Sequence, residues 1–313
     1  MKQFLDKYDT VIFDMDGVIT SEENYWNCAA LTVREHLTGE RPCADAAEVR
    51  KEVFLNDTLI ALLKGKGVNS NWDLGYVTVL ISIIKGSDDP DTIYDFAKTL
   101  SDNILDSYEP LAYAASLKLG CDVGYTARNG ALWNELQQSF QEWFLGSGTD
   151  KKGLIYSEKP LIPQDVLTRM LSELSKAKRL CIGTGRPADE IFTPLDRWGV
   201  TDFFASDGRC NYDHVKVAEE RTAMTLTKPH PYMFLKALYG TDYDDEKIIN
   251  GDYDRSKISR TLIVGDAGAD ILAAKAMGAD FCAVLTGVNG EKARGYFREH
   301  GAEYIINSAA DLI

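Results

Sequence analysis

An apolar run near the start of the chain ends directly in two carboxylates, and this feature most constrains the fold. Val11-Ile12-Phe13 is followed by Asp14-Met15-Asp16-Gly17-Val18. A short apolar run with β-branched residues is typical of a parallel strand that is buried on both faces. In open α/β sheets, ligands bind beyond the carboxyl ends of such strands. The sequence therefore predicts a buried strand that ends in an acidic functional loop, with Asp14 and Asp16 as its working residues.

A purely structural interpretation of this loop is also open. Asp and Gly are common in tight turns, because Asp hydrogen-bonds to the nearby backbone and Gly tolerates positive φ. The tetrapeptide Asp14-Met15-Asp16-Gly17 alone does not distinguish a polar turn from a catalytic loop. The residues at the ends of the other predicted strands decide between the two interpretations.

Three later stretches place polar residues at comparable positions. A predicted strand over 179–183 runs into Thr184-Gly185-Arg186-Pro187, and a second over 261–264 runs into Gly265-Asp266 with Asp270 four residues further on. Lys228-Pro229 lies just before a predicted helix start, where proline suits the first turn. Strands that alternate with helices predict a parallel, doubly wound, Rossmann-like α/β sheet. In such a sheet the four polar loops would form one site.

Further strands are predicted at 203–206, 281–285 and 304–306, and helices at 164–177 and 188–198. The segment 240–259, which is rich in Asp, Tyr and Lys, is interpreted as a solvated excursion or a hairpin.

Between Thr20 and about residue 153 the sequence predicts helices only. Ser21 is the expected N-cap of the first helix and Gly39 its end; further helices are expected at 45–63, 71–85, 90–103, 110–119 and 129–145. The domain prediction is therefore an α/β core over 1–19 and 157–313 with an inserted all-helical cap over 20–156. The cap's aromatic residues are expected to pack its own core, and three basic residues in its loops are either solvated or contact substrate: Lys64, Lys66 and Arg128.

Charge and cysteine usage exclude several classes of protein. The 313 residues carry a net charge of −14, which argues against a nucleic-acid partner, since that would require a basic face. The cysteines form no C-x-x-C pair and indicate neither a zinc site nor a redox motif; they lie at positions 28, 43, 121, 181, 210 and 282. With no apolar leader or membrane span in the sequence, a cytoplasmic protein without membrane contact is expected. The sequence does not predict the oligomeric state.

The four motifs occur in the order and context of the signature motifs of the haloacid dehalogenase (HAD) superfamily, and the chain resembles its phosphatase branch. Lys228-Pro229-His230-Pro231 and an insertion directly after the first motif are similar to the phosphoglycolate phosphatase and β-phosphoglucomutase-like subfamily. The resemblance implies a magnesium-dependent phosphatase that acts on a small phosphorylated metabolite. It covers the core and does not account for the insertion in detail.

The resemblance also implies a role for each motif residue. Asp14 would be the nucleophile that forms an aspartyl-phosphate, and Asp16 would act first as general acid and then as general base. The Mg²⁺ ion would bind Asp14, Asp266 and the main-chain carbonyl of Asp16, while Asp270 would hold the metal shell, directly or through water. Phosphate contacts would come from Asp16, Gly17, Thr184, Gly185 and Lys228. The family gives Arg186 no fixed role, so a structural salt bridge is as good an interpretation as a substrate contact.

Two alternative functions are also consistent with these motifs. A phosphomutase of the β-phosphoglucomutase type would carry the same residues, and a non-catalytic binding protein could retain the same scaffold. The insertion begins just after the first motif, which predicts a lid that selects small substrates.

Overall fold

The computed structural model describes residues 2–39, 41, 45–68, 70–148 and 150–313. The chain forms two compact units: Met1–Ser21 with Glu158–Ile313, here called the α/β unit, and Glu22–Ser157, here called the helical unit. Five of the cysteines are free thiols, and Cys43 lies outside the described residues.

The α/β unit is built on one parallel sheet of six strands in the order β3-β2-β1-β4-β5-β6. The strands are β1 (Thr10–Phe13), β2 (Arg179–Gly183), β3 (Arg209–Cys210), β4 (Thr261–Gly265), β5 (Asp280–Val284) and β6 (Tyr304–Ile306). Helices flank this sheet, so the prediction of a doubly wound, Rossmann-like α/β core with inserted helices is confirmed.

Fifteen α-helices lie in the described part of the chain. In the helical unit they are α1 (Glu23–Thr38), α2 (Ala46–Val53), α3 (Thr58–Gly65), α4 (Asn71–Lys85), α5 (Pro90–Lys98), α6 (Leu105–Leu119), α7 (Val123–Thr126) and α8 (Ala131–Leu145). In the α/β unit they are α9 (Gln164–Ser175), α10 (Ala188–Arg197), α11 (Tyr212–Thr222), α12 (Tyr232–Tyr239), α13 (Asp245–Asn250), α14 (Gly268–Met277) and α15 (Ala293–Glu299).

Strand β1 lies at the centre of the sheet and explains the apolar run of the first motif. It pairs with β2 on one side and with β4 on the other. Val11 and Phe13 pack into the core on one face of the sheet, whereas Ile12 packs into the core on the opposite face. Both faces of β1 are therefore buried, and Asp14 lies directly after the strand, at the carboxyl ends of the parallel strands.

The prediction of a strand at 203–206 is wrong. The structure has 3₁₀ turns at Thr201–Phe203 and Ser206–Gly208, and the edge strand β3 comes later and has only two residues. The apolar run reflects packing: Phe204 is buried and lies edge-on to Phe13, with ring centroids 6.1 Å apart. The run is therefore apolar because it fills the core and not because it extends the sheet.

Three local predictions also need correction. The N-cap residue of helix α1 is Glu22 instead of Ser21, and its side chain makes no capping hydrogen bond. The segment 240–259, predicted as a solvated excursion or a hairpin, contains α13 and a 3₁₀ turn, so the hairpin alternative is wrong. The single helix predicted over 45–63 is broken between α2 and α3, because Leu55, Asn56 and Asp57 all have positive φ.

The helical unit has a hydrophobic core of its own, as predicted from its aromatic residues. Tyr25 of α1 stacks on Phe144 of α8, with ring centroids 4.5 Å apart, and Phe140 lies beside both. The three basic residues predicted in loops form ion pairs within the unit, although Lys64 lies in α3: Lys64 pairs with Glu22, Lys66 with Asp102, and Arg128 with Asp73. None of the helices in the described residues is both long and apolar enough to cross a membrane.

Candidate active site

The candidate site lies at the carboxyl ends of β1 and β4, where the strand order of the sheet reverses. The chain places β2 and β3 on one side of β1 and then crosses over to β4 on the other side. This crevice is the usual ligand position in an open α/β sheet. The backbone N–H of Asp14 donates to the carbonyl of Val264, at 2.9 Å, so the residue after β1 is held next to the end of β4.

Three carboxylates converge in this crevice. Asp14, Asp266 and Asp270 each offer one oxygen atom, and these three atoms lie within 4.8 Å of one another. Asp270 lies in the first turn of α14, where it is 1% exposed, and its Oδ2 atom accepts a hydrogen bond from the backbone N–H of Ala267. The motifs at the ends of β1 and β4 therefore meet in space, as the sheet order requires.

Lys228 bridges two of these carboxylates. Its Nζ atom lies 2.8 Å from Oδ1 of Asp14 and 2.8 Å from Oδ1 of Asp270. The same ammonium lies 4.8 Å from the centre of the Phe234 ring, at the start of α12. Burial opposes the charged form of Lys228, but the two carboxylates raise its pKa above the ordinary value. The residue therefore carries a buried positive charge in the acidic crevice.

The carboxylate charge in the crevice is only partly offset by Lys228. Burial of Asp14 raises its pKa, the nearby Asp270 carboxylate raises it further, and the ammonium opposes both. The pKa of Asp14 therefore lies above its ordinary value.

Two glycines pack directly against Asp266. Gly17 has a φ of +72°, and a Cβ atom at Gly17 or at Gly287 would overlap the Asp266 carboxylate. The Thr286 hydroxyl donates to the carbonyl of Gly17, at 2.5 Å, which joins the first motif to the loop after β5. Sequence reasoning missed Thr286 and Gly287, although they come after a predicted strand just as the other motifs do.

Asp16 is held through one of its two carboxylate oxygens. Oδ1 accepts from Arg186 Nε at 2.9 Å, from Arg186 Nη2 at 2.5 Å and from the Thr20 hydroxyl at 3.0 Å. Among the described residues, none donates to Oδ2. The structure therefore gives Arg186 the salt-bridge role, with the first motif as its partner.

Arg186 has a second carboxylate partner, Glu158. Its Nη2 and Nη1 atoms donate to the two Glu158 oxygens at 2.8 and 3.1 Å, and both side chains are 2% exposed. Burial raises the pKa of Glu158 above its ordinary value, and Arg186 reduces the rise. Sequence reasoning missed Glu158, because a single Glu after the insertion carries no motif signal.

Thr184 and Gly185 lie at the end of β2, the strand next to β1. The Thr184 backbone N–H donates to the carbonyl of Cys210 at 3.1 Å, and its hydroxyl oxygen accepts from the backbone N–H of Arg186 at 3.2 Å. The described structure shows no hydrogen bond from Thr184 or Gly185 to the acidic cluster. Their proposed contact with phosphate stays a prediction.

Residues 225–312, which include Lys228, Asp266 and Asp270, match the family described as HAD-hydrolase-like. The predicted resemblance to the haloacid dehalogenase superfamily is confirmed. No curated protein matches the chain. The family match falls on the part of the chain that supplies three of the four charged residues of the crevice.

Solved structures agree with this HAD-like fold. An X-ray structure of a structural-genomics target is 29% identical, with a TM-score of 0.84 and 97% of each chain covered. A candidate phosphoglycolate phosphatase from Lactobacillus delbrueckii subsp. bulgaricus is 16% identical, with a TM-score of 0.52 over 97% of this chain and 96% of that one. A candidate haloacid dehalogenase-like hydrolase from Bacteroides fragilis is 14% identical, with a TM-score of 0.50 over 98% of this chain and 100% of that one. The last two similarities concern the fold alone.

Proposed function

We propose that this HAD-like protein is a magnesium-dependent phosphatase that hydrolyses a small phosphomonoester through an aspartyl-phosphate on Asp14. The observation that supports this proposal most strongly is the convergence of Asp14, Asp266 and Asp270 at the switch point of the sheet, where Lys228 pairs with Asp14 and Asp270.

Asp14 is the proposed nucleophile because it combines position and charge. It directly follows the central strand β1, so its carboxylate has a fixed position in the crevice. Its Oδ1 atom forms an ion pair with Lys228. A carboxylate oxygen that attacks a phosphorus atom splits a difficult displacement into two easier steps. Lys228 would then stabilise the negative charge on the phosphoryl oxygens during transfer.

The three carboxylates fit a Mg²⁺ ion. All donors are hard oxygens, which magnesium prefers, and three oxygen atoms within 4.8 Å of one another suit a single small cation. We assign the metal to Asp14 and Asp266, with the Asp16 carbonyl as a further ligand and Asp270 supporting the shell. When bound, Mg²⁺ would polarise a phosphoryl oxygen and offset the charge of the transferred group.

Asp16 is the proposed general acid and base. Its Oδ1 atom is occupied by donors, whereas Oδ2 is available to exchange a proton. A proton given to the leaving oxygen would be recovered from water when the aspartyl-phosphate is hydrolysed. Gly17, Thr184 and Gly185 are proposed to donate to phosphate oxygens, with the Thr184 hydroxyl and backbone N–H groups as donors.

The helical unit is proposed to act as a cap that favours small substrates. Support comes from chain connectivity: the unit begins at Glu22, six residues after Asp16, and has a hydrophobic core of its own. A cap that excludes water from a phosphoryl-transfer site admits only leaving groups that fit beneath it.

The test is phosphate release from p-nitrophenyl phosphate and from a panel of small phosphometabolites, with Mg²⁺ and after chelation. Turnover that requires Mg²⁺ and is abolished in Asp14→Asn is expected, while Asp91→Asn on the exposed side of α5 should keep the wild-type rate. Isomerisation of a sugar phosphate without phosphate release would indicate a mutase. Binding without turnover would indicate a non-catalytic protein. Either result would overturn the proposal.

A further inference from the structure

We propose that Arg186 is a positioning residue for the general acid and base, because it fixes Asp16 through Oδ1 and leaves Oδ2 to handle the proton. This inference rests on the proposed phosphatase function. It assigns a role to the residue for which the motif comparison gave none.

The side-chain hydrogen bonds that the Asp16 carboxylate accepts all end on one of its oxygen atoms, Oδ1. Both Nε and Nη2 of Arg186 donate to Oδ1, and the Thr20 hydroxyl donates to the same atom. An oxygen atom that accepts three hydrogen bonds is a poor place for a proton, since a proton there would face three donors. Among the described residues no donor reaches Oδ2, and the Asp16 side chain is 29% exposed. The proton that Asp16 gives or takes is therefore carried by Oδ2.

Several buried contacts fix the Arg186 side chain, so it can orient the Asp16 carboxylate. Its guanidinium is 2% exposed and pairs with both oxygens of Glu158, which is equally buried. The Nη1 atom also donates to the carbonyl of Glu190 at 3.1 Å. A planar guanidinium with several fixed acceptors cannot rotate without breaking buried charge-assisted bonds. Lysine cannot reproduce this arrangement.

Arg186 also contacts both points at which the chain enters or leaves the α/β unit. Nη2 donates to the carbonyl of Ser21, the last residue before the helical unit, at 3.3 Å. Glu158 is the first residue after the helical unit, and its carbonyl accepts from Arg197 Nη2 at 3.0 Å. The buried Arg186 guanidinium therefore contacts Asp16 and also both residues at which the chain leaves and re-enters the α/β unit.

The chemical consequence depends on the leaving group. In the first step, an Asp14 oxygen forms a bond to phosphorus, the bond from phosphorus to the ester oxygen breaks, and Asp16 Oδ2 donates its proton to that oxygen to give an alcohol. In the second step, a water oxygen forms a bond to phosphorus and gives a proton to Oδ2, while the bond from phosphorus to the Asp14 oxygen breaks, which releases phosphate and restores the Asp14 carboxylate. A nitrophenolate leaves readily without a proton, whereas an alkoxide requires one. Misorienting Asp16 should therefore affect alkyl esters most.

The experiment compares kcat/KM for p-nitrophenyl phosphate, phenyl phosphate and glycerol phosphate in wild type, Arg186→Lys and Arg186→Met. We expect Arg186→Met to lower the value for the alkyl ester about 100-fold more than that for the nitrophenyl ester, which corresponds to losing most of one general-acid contribution. Arg209→Lys is the matched control, since Arg209 donates to main-chain carbonyls of Phe204 and Thr201 away from the first motif. It should lower all three values equally or not at all.

Two further variants separate positioning from folding. Arg186→Met leaves Glu158 buried without a partner, so the double variant Arg186→Met/Glu158→Met replaces the ion pair by apolar side chains and should recover thermal stability. The double variant should still lose more kcat/KM for glycerol phosphate than for p-nitrophenyl phosphate. In an Asp16→Asn background, Arg186→Met should not widen the difference in kcat/KM between glycerol phosphate and p-nitrophenyl phosphate any further.

An equal loss for all three esters in a folded Arg186 variant, or an undiminished effect in the Asp16→Asn background, would overturn the positioning role while the phosphatase stands. Wild-type protein that hydrolyses none of the esters with Mg²⁺ would instead overturn the proposed function and this inference with it.

Discussion

The Nζ atom of Lys228 lies 2.8 Å from Oδ1 of Asp14, so the proposed nucleophile and its cation form a direct and largely buried ion pair. Lys228 reaches this position from the loop before α12, about 210 residues after Asp14 in the chain. The bond connects two motifs that only the parallel sheet brings together.

Lys228→Met tests the importance of this bond. The change leaves Asp14 and Asp270 buried without their shared cation, and breaking a buried pair in this way costs about 3–5 kcal/mol. We expect a lower melting temperature in metal-free protein and loss of turnover even with saturating Mg²⁺. Unfolding is followed by circular dichroism. Lys257→Met in the exposed turn before β4 is the control, and equal stability of the two variants would contradict the geometry.

Gly287→Ala tests whether Asp266 is a metal ligand. The new methyl group would overlap the Asp266 carboxylate and must displace it. We expect Mg²⁺ affinity, measured by isothermal titration calorimetry, to fall at least as far as it does in Asp266→Asn. Unfolding of the metal-free protein should change little.

Gly295→Ala is the matched control for that measurement. Gly295 lies within α15, and a Cβ atom there meets nothing within 4 Å. Alanine in a helix interior is favoured over glycine by roughly 0.5–1 kcal/mol, so this variant should be slightly more stable with unchanged Mg²⁺ affinity. Equal Mg²⁺ affinity of Gly287→Ala and Gly295→Ala would show that Asp266 is not a ligand.

The sheet and the acidic crevice could be predicted because their signals are local in sequence. A buried parallel strand must be apolar throughout, and functional residues come after its carboxyl end; this rule alone finds Asp14, Thr184 and Asp266. The rule fails for β3, because its two residues are too few to show a pattern and the nearby Phe204 is apolar for packing reasons.

The helical unit offers a test of pH-dependent stability at Glu35. Burial alone would raise the pKa of Glu35, but hydrogen bonds to Oε2 from Lys151 at 2.8 Å, Ser139 at 2.8 Å and Trp143 at 2.9 Å hold it below the ordinary value of 4.5. A lowered folded-state pKa adds stability above the unfolded-state value, and this stability is lost as the pH falls through the folded-state pKa. The contribution is therefore complete at pH 7, begins to decline near pH 4.5 and is lost as the pH falls through the lower folded-state pKa.

Glu35→Gln should accordingly lower stability at pH 7 by about 1–2 kcal/mol, since it removes a charged acceptor from three donors. The difference from wild type should shrink as the pH falls below 4.5. Urea unfolding at several pH values measures it. Glu109→Gln, on the exposed side of α6, should show no such trend, and a Glu35→Gln difference that is constant with pH would refute the assignment.

Arg186 and Glu158 could not be predicted as a pair, and the reason is physical. Their contact joins residues 28 positions apart, on either side of α9 and β2, and it depends on how the two segments pack. Sequence motifs report which residues come after a strand. They do not report which of them pair with one another, so the contact of Arg186 with Asp16 became visible only in three dimensions.

Replacing residues 22–157 with a short Gly/Ser linker tests the proposed cap. If the α/β unit keeps its circular dichroism spectrum, we expect hydrolysis of p-nitrophenyl phosphate to persist at a reduced rate, because its leaving group needs little help. Discrimination among small phosphometabolites should disappear. An unchanged selectivity profile would mean that the helical unit does not select substrates.

The covalent step on Asp14 is tested most directly by trapping the phosphoenzyme. Acid-quenched protein from a single turnover is reduced with borohydride, which converts an aspartyl-phosphate to homoserine, and the peptide is sequenced by mass spectrometry. We expect homoserine at position 14, in larger amount in Asp16→Asn because hydrolysis of the intermediate is slowed, and none in Asp14→Asn. Homoserine at another aspartate, or turnover with no trapped intermediate at any quench time, would contradict it.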